Sequence, residues 1–87
     1  MLKPSDVLET KEWLQNRMFK YSDLCIVGCC MIGAWDLAYV EANNEDRVIL
    51  KKALNKFQKE IPYIGEWNDK PGRTKNQVLA KLREFDL

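Results

Sequence analysis

From Leu24 to Trp35 the chain runs for twelve residues without a charge or a side-chain amide. In a chain of 87 residues the core has to be built around that run. It is too short for a membrane span, which needs about 20 apolar residues. The expectation is a buried helix over about Asp23 to Ala42, started by Ser22 or Asp23 and apolar nearly all round in its first half. Cys30, Ala34 and Ala38 recur every fourth residue and are small, as are Gly28 and Gly33. Small residues let another helix come close. A glycine inside a helix costs about 1 kcal/mol relative to alanine, so close packing or a kink should compensate.

Three further helices are expected around it. The first covers about Asp6 to Lys20, where Val7, Leu14, Met18 and Tyr21 share one helical face. The third covers about Glu45 to Ile61. Asn43 or Asn44 can cap it, Glu45 and Asp46 suit its positive end, Leu50, Ala53, Leu54, Phe57 and Ile61 form its buried stripe, and Pro62 stops it. The last covers about Lys75 to Phe85. Thr74 and Gln77 form a T-x-x-Q capping box before the apolar positions Val78, Leu79, Leu82 and Phe85. Sustained alternation and Asn-Gly or Asp-Gly turns are missing, so no strand is expected. The resulting fold class is all-α: one compact four-helix domain over residues 1–87, with the apolar helix central and the Pro62–Arg73 loop packed across it.

No catalytic residue, metal or cofactor is expected. The chain has no histidine, which removes Ser-His-Asp and Cys-His nucleophiles and most catalytic zinc sites. It has no phosphate loop and no G-x-G-x-x-G. Cys25, Cys29 and Cys30 all fall in the central run. If that run is helical, Cys25 and Cys29 share a face one turn apart, but two further ligands for a structural zinc are missing. Buried reduced thiols are the simpler reading, and they point to the cytoplasm. Residues Met1 to Glu12 mix charges with apolar residues, so neither a leader peptide nor membrane association is expected.

Net charge is +1, yet residues 1–46 carry −4 and residues 47–87 carry +5. Such an imbalance can orient a partner or draw the two halves together. Two surfaces follow as candidates. Arg47, Lys51, Lys52, Lys56 and Lys59 put five cations within thirteen residues of the third helix, a nucleic-acid surface or a solvated face. The stretch from Trp67 to Thr74 crowds an aromatic, an amide, a carboxylate and a guanidinium ahead of a helix start. With Tyr63, its Trp67, Asn68, Asp69 and Arg73 are the candidate partner-binding residues. Turn chemistry accounts for the same stretch structurally: Asn68 or Asp69 capping, Asp69 pairing with Arg73, Pro71-Gly72 bending, and Trp67 filling the core.

Three segments together carry a resemblance: Trp13-Leu14-Gln15, Cys29 to Ala34, and Trp67 to Thr74 followed by Val78 and Leu79. In these the chain resembles an uncharacterised family of short bacterial and bacteriophage proteins with a C-terminal W-N-D-x-P-G-R-T segment. The resemblance implies a bacterial or phage origin and no activity. The expected function is a non-enzymatic interaction module that binds and modulates, or inhibits, a host protein such as a defence component. Nucleic-acid binding through the third helix is the alternative. The protein partner is unidentified, and homodimerisation stays open for so small a core.

Overall fold

A computed structural model describes residues 1–87. It contains five helices and a three-stranded sheet, so the all-α expectation is wrong. In chain order the elements are α1 (Pro4–Glu9), β1 (Glu12–Trp13), β2 (Phe19–Ser22), β3 (Cys25–Cys29), α2 (Met31–Glu41), α3 (Asn44–Glu60), α4 (Ile64–Asp69) and α5 (Lys75–Glu84).

The apolar run is not one helix but a strand followed by a helix. Cys25–Cys29 pairs antiparallel with Phe19–Ser22 through a two-residue turn at Asp23-Leu24, and parallel with Glu12–Trp13, giving the order β1-β3-β2. Apolar runs of four to eight residues do not reveal their period, and Cys-Ile-Val with Phe-Lys-Tyr opposite suits a pleated surface. Cys30 then turns the chain. Its backbone is extended and its Sγ accepts from Gly33 N at 3.4 Å, capping α2. The first expected helix also fails beyond Glu9. Its face had combined Val7 from α1, Leu14 and Met18 from a loop and Tyr21 from β2. Asn16, in that loop, takes the left-handed conformation at φ 65°.

Gly28 sits in β3 between its partners Glu12 and Lys20. With no side chain between them, Lys20 Nζ reaches Glu12 Oε2 at 2.7 Å. The ammonium holds the Glu12 carboxyl below its ordinary value, although both groups are largely in water and the pair adds little stability.

The other expectations fare better. Asn43 caps α3, its Oδ1 accepting from Asp46 N at 2.9 Å. The capping box of α5 closes both ways, Thr74 N to Gln77 Oε1 at 3.0 Å and Gln77 N to Thr74 Oγ1 at 3.2 Å. The loop expected over Pro62–Arg73 contains the short helix α4. The core joins Val7 and Leu8 of α1, Cys29, Met31, Ala34 and Ala38, Leu50 and Phe57 of α3, Ile61, Ile64, and Val78, Leu79 and Leu82 of α5. Pairs between Lys3 and Asp86 and between Glu9 and Arg83 tie α1 to the C-terminal residues, and Ser5 N donates to Leu87 O at 2.8 Å. No helix is long and apolar enough to cross a membrane.

Candidate functional site

The Trp67–Thr74 stretch is built around Asn68, which lies in the last turn of α4 and is 1% exposed. Its Oδ1 accepts from Trp13 Nε1 at 2.8 Å and from Met31 N at 3.1 Å. Its Nδ2 donates to Leu14 O at 3.0 Å and to Asp69 Oδ1 at 2.9 Å. A primary amide offers two donors and two acceptor lone pairs, and all four are used. One side chain therefore joins β1, the start of α2 and α4. The Met31 amide is one of the first-turn donors that an α-helix cannot satisfy by itself.

The neighbours continue the seam. Gln15 Nε2 donates to Asn68 O at 3.1 Å and Lys70 O at 3.0 Å. Asp69 Oδ1 accepts from Asn16 N at 2.8 Å and makes no ion pair with Arg73. Arg73 instead donates from Nε to Trp67 O at 2.9 Å, with its guanidinium 3.6 Å from the centre of the Trp67 ring. Trp67 is half-buried and packs against the core edge rather than plugging it.

Tyr63, Trp67, Asp69 and Arg73 do meet, around an open hollow of about 710 Å³ that also takes in Glu60, Glu66 and Lys70. Asn68 lies inside the protein and does not reach it. Asp69 and Arg73 are occupied by the chain itself. Tyr63, 71% exposed, is the residue of that set most open to a partner.

The basic helix is divided in the same way. Arg47 donates from Nε to Tyr39 O at 3.0 Å, which also accepts from Ala42 N, and from Nη2 to Val40 O at 3.2 Å, so it binds two of the last carbonyls of α2. It also lies 4.9 Å from the Tyr39 ring centre, and the Lys51 ammonium lies at 5.5 Å. Lys52, Lys56 and Lys59 are exposed on the outer face of α3.

The cysteines change character once they lie on a strand. Four residues along a strand span about 13 Å, so Cys25 and Cys29 are not the one-turn neighbours a helix would make them. Cys25 is exposed, and Cys29 is fully buried, which pushes its thiol from 9.0 up to about 11, with the adjacent Cys30 adding to the effect. At pH 8, iodoacetamide is expected to alkylate Cys25 readily and to leave Cys29 untouched until urea unfolds the chain; peptide mass mapping reads this directly. The raised Cys29 value also sets a sign. The unfolded chain loses that proton first, so this stabilisation is complete below pH 9 and is lost as pH rises through about 11.

The profile of one family matches residues 3–85, a span that contains the whole Asn68 seam. The chain belongs to DUF6197, a family of unknown function. No curated protein and no solved structure matches it. For this DUF6197 member, then, function has to be argued from surface and packing.

One surface escaped sequence reasoning. A groove of about 520 Å³ runs between the hairpin tip, the start of the chain and the end of α2. Leu2, Leu24, Cys25, Ile26, Leu37 and Val40 line it, with Asp6 and Glu41 among its polar residues. Leu2 is 46% exposed, Val40 62% and Leu24 100%. Reading the apolar run as a buried helix placed Leu24 inside. The available signal was the polar pair Ser22-Asp23, set between the aromatics Phe19 and Tyr21 and the β-branched Ile26 and Val27.

Proposed function

We infer that this chain is a non-catalytic interaction module, a bacterial or bacteriophage accessory protein that binds and modulates a host protein through the groove at the hairpin tip. The observation that carries this is Leu24. The β2–β3 turn has positive φ at both central residues, 48° at Asp23 and 68° at Leu24, the geometry that favours Asn-Gly or Asp-Gly. A bulky L-residue is strained there, and this one is also wholly in water. Folding alone would place glycine at that position. A leucine that harms the turn and contacts no core is explained by a partner that covers it, with Val40 and Leu2 beside it as further anchors. The bacterial or phage setting rests on the family resemblance of the Trp67–Thr74 segment.

The test is the Leu24→Gly variant, which should fold with equal or greater thermal stability because the turn strain is relieved. Tagged wild-type chain should retain one host protein from a lysate of the source organism, with or without nuclease, and Leu24→Gly should lose it. Retention by a well-folded Leu24→Gly/Val40→Ser variant overturns the groove as the docking face. Capture that disappears with nuclease would instead favour nucleic-acid binding by Lys52, Lys56 and Lys59.

A further inference from the structure

The groove at the hairpin tip carries a projection and a hollow side by side. Leu24 stands wholly exposed on its rim, with Leu2 and Val40 beside it. Val7, Ile26 and Leu37, buried or half-buried, form an apolar floor. A knob next to a hole on one patch is what a two-fold interface requires, because the same residues then serve both copies. An axis through the patch puts each Leu24 into the other copy's groove and brings the two tips together.

The polar rim agrees with this. Lys11 lines the same groove as Asp6 and Glu41, and none of the three makes an ion pair within the chain. A rim of one sign repels its own copy, whereas a rim of both signs can pair across the axis, Lys11 of one copy with Asp6 or Glu41 of the other. Asp23, exposed at the turn, leaves the patch slightly acidic, which weakens the association without forbidding it. Size points the same way. A stable interface takes about 20–30 residues on each side, and this groove is lined by 11.

We propose that the groove is the interface of a weak, reversible two-fold dimer, in which a second copy of this chain covers Leu24. The dissociation constant expected for a patch of this extent is about 100 µM. The proposal rests on the reading of the groove as a docking face and names what covers it in the absence of a host protein. The second copy and a host protein then compete for the same leucine, so dimerisation shields the tip until a partner displaces it.

The experiment is sedimentation equilibrium of the purified full-length chain from about 10 µM to about 1 mM, with ¹⁵N spectra recorded over the same dilution series. The average mass should climb from monomer toward dimer, and the amides that move with concentration should be those of Leu2, Leu24, Cys25, Ile26 and Val40. Leu24→Gly should weaken the dimer by at least about tenfold, and Lys11→Glu by about fivefold. A wild-type chain that is monomeric at about 1 mM overturns the proposal. So does a dimer whose moving amides lie on another face, or one that Leu24→Gly leaves intact. These outcomes are read on the pure chain and leave capture of a host protein to its own test, while failed capture beside a groove dimer counts against the host reading alone.

Discussion

Asn68→Leu is expected to cost about 4 kcal/mol, a large fraction of the stability that a domain of this size has. Leucine keeps the heavy-atom count and branching of asparagine but is bulkier, so the loss combines stranded polar groups with some overpacking. The substitution strands the Trp13 Nε1–H, the Met31 N–H and the Leu14 carbonyl, all of which meet Asn68 in a site closed to water. Each orphaned group costs about 1–3 kcal/mol, offset in part by relaxation and by the better burial of leucine. In a domain of this length that loss lowers Tm by about 20 °C. Asn68→Asp keeps an acceptor for both N–H groups but loses the donor to Leu14, and it places a second carboxylate beside Asp69. It should fall between wild type and Asn68→Leu. Trp13→Phe removes one donor and leaves Oδ1 with Met31, so a loss of about 1 kcal/mol is expected. Urea titration of the three variants ranks them, and a loss for Asn68→Leu no larger than that of Trp13→Phe would show that the amide is not the joint described above.

That joint explains which parts of the fold are visible in the sequence and which are not. The third and fifth helices are legible because their signals are local. Asn43 to Asp46, Thr74 to Gln77, and the 3.6-residue spacing of Leu50, Leu54, Phe57 and Ile61 all lie within a few residues of what they specify. The segment Lys11 to Asn16 is settled by partners more than fifty residues away. The Leu14 carbonyl, the Gln15 side chain and the Asn16 amide all bond to Asn68, Asp69 or Lys70, and Trp13 does the same through its indole. A helix over Asp6 to Lys20 would withdraw Leu14 and Asn16 into i to i−4 pairing. Tertiary hydrogen bonds therefore override a respectable helical pattern. The candidate site divides along the same line. Turn chemistry accounts for the Trp67–Thr74 segment, but the spacing of Asp69 and Arg73 suggested an ion pair where each meets backbone instead. The groove at the hairpin tip depends on a strand turn that lacks the usual Asn-Gly or Asp-Gly motif, because Leu24 occupies the place of the glycine.

Gly33→Ala separates local propensity from packing within a single methyl group. On propensity alone the change should stabilise α2 by about 1 kcal/mol. A Cβ at Gly33 would lie 2.7 Å from the Met18 carbonyl oxygen, 3.0 Å from Phe19 Cε1 and 3.1 Å from Cys29 Cβ. The nearest of these is backbone, and that carbonyl already accepts from Cys30 N at 3.0 Å, at the point where the β2–β3 ladder runs into the helix cap. It cannot retreat without opening the ladder, so a net loss of about 2–3 kcal/mol is expected, as for other overpacked cores. Gly65→Ala is the matched control. It also lies in a helix, but its nearest neighbour would be Ile32 Cδ1 at an ordinary 3.9 Å. It should gain about 0.5–1 kcal/mol. Opposite signs for the two glycine-to-alanine changes in thermal or urea unfolding would establish that the first turn of α2 is pressed against the sheet. A stabilising Gly33→Ala would mean that the start of β2 stands further from α2 than described, and that the strand-to-helix junction at Cys30 is looser with it. The small residues of this run, read from the sequence, call for a second helix beside them. What comes closest to Gly33 is the leading end of a strand, and a carbonyl oxygen engaged in a ladder yields less readily than a side chain.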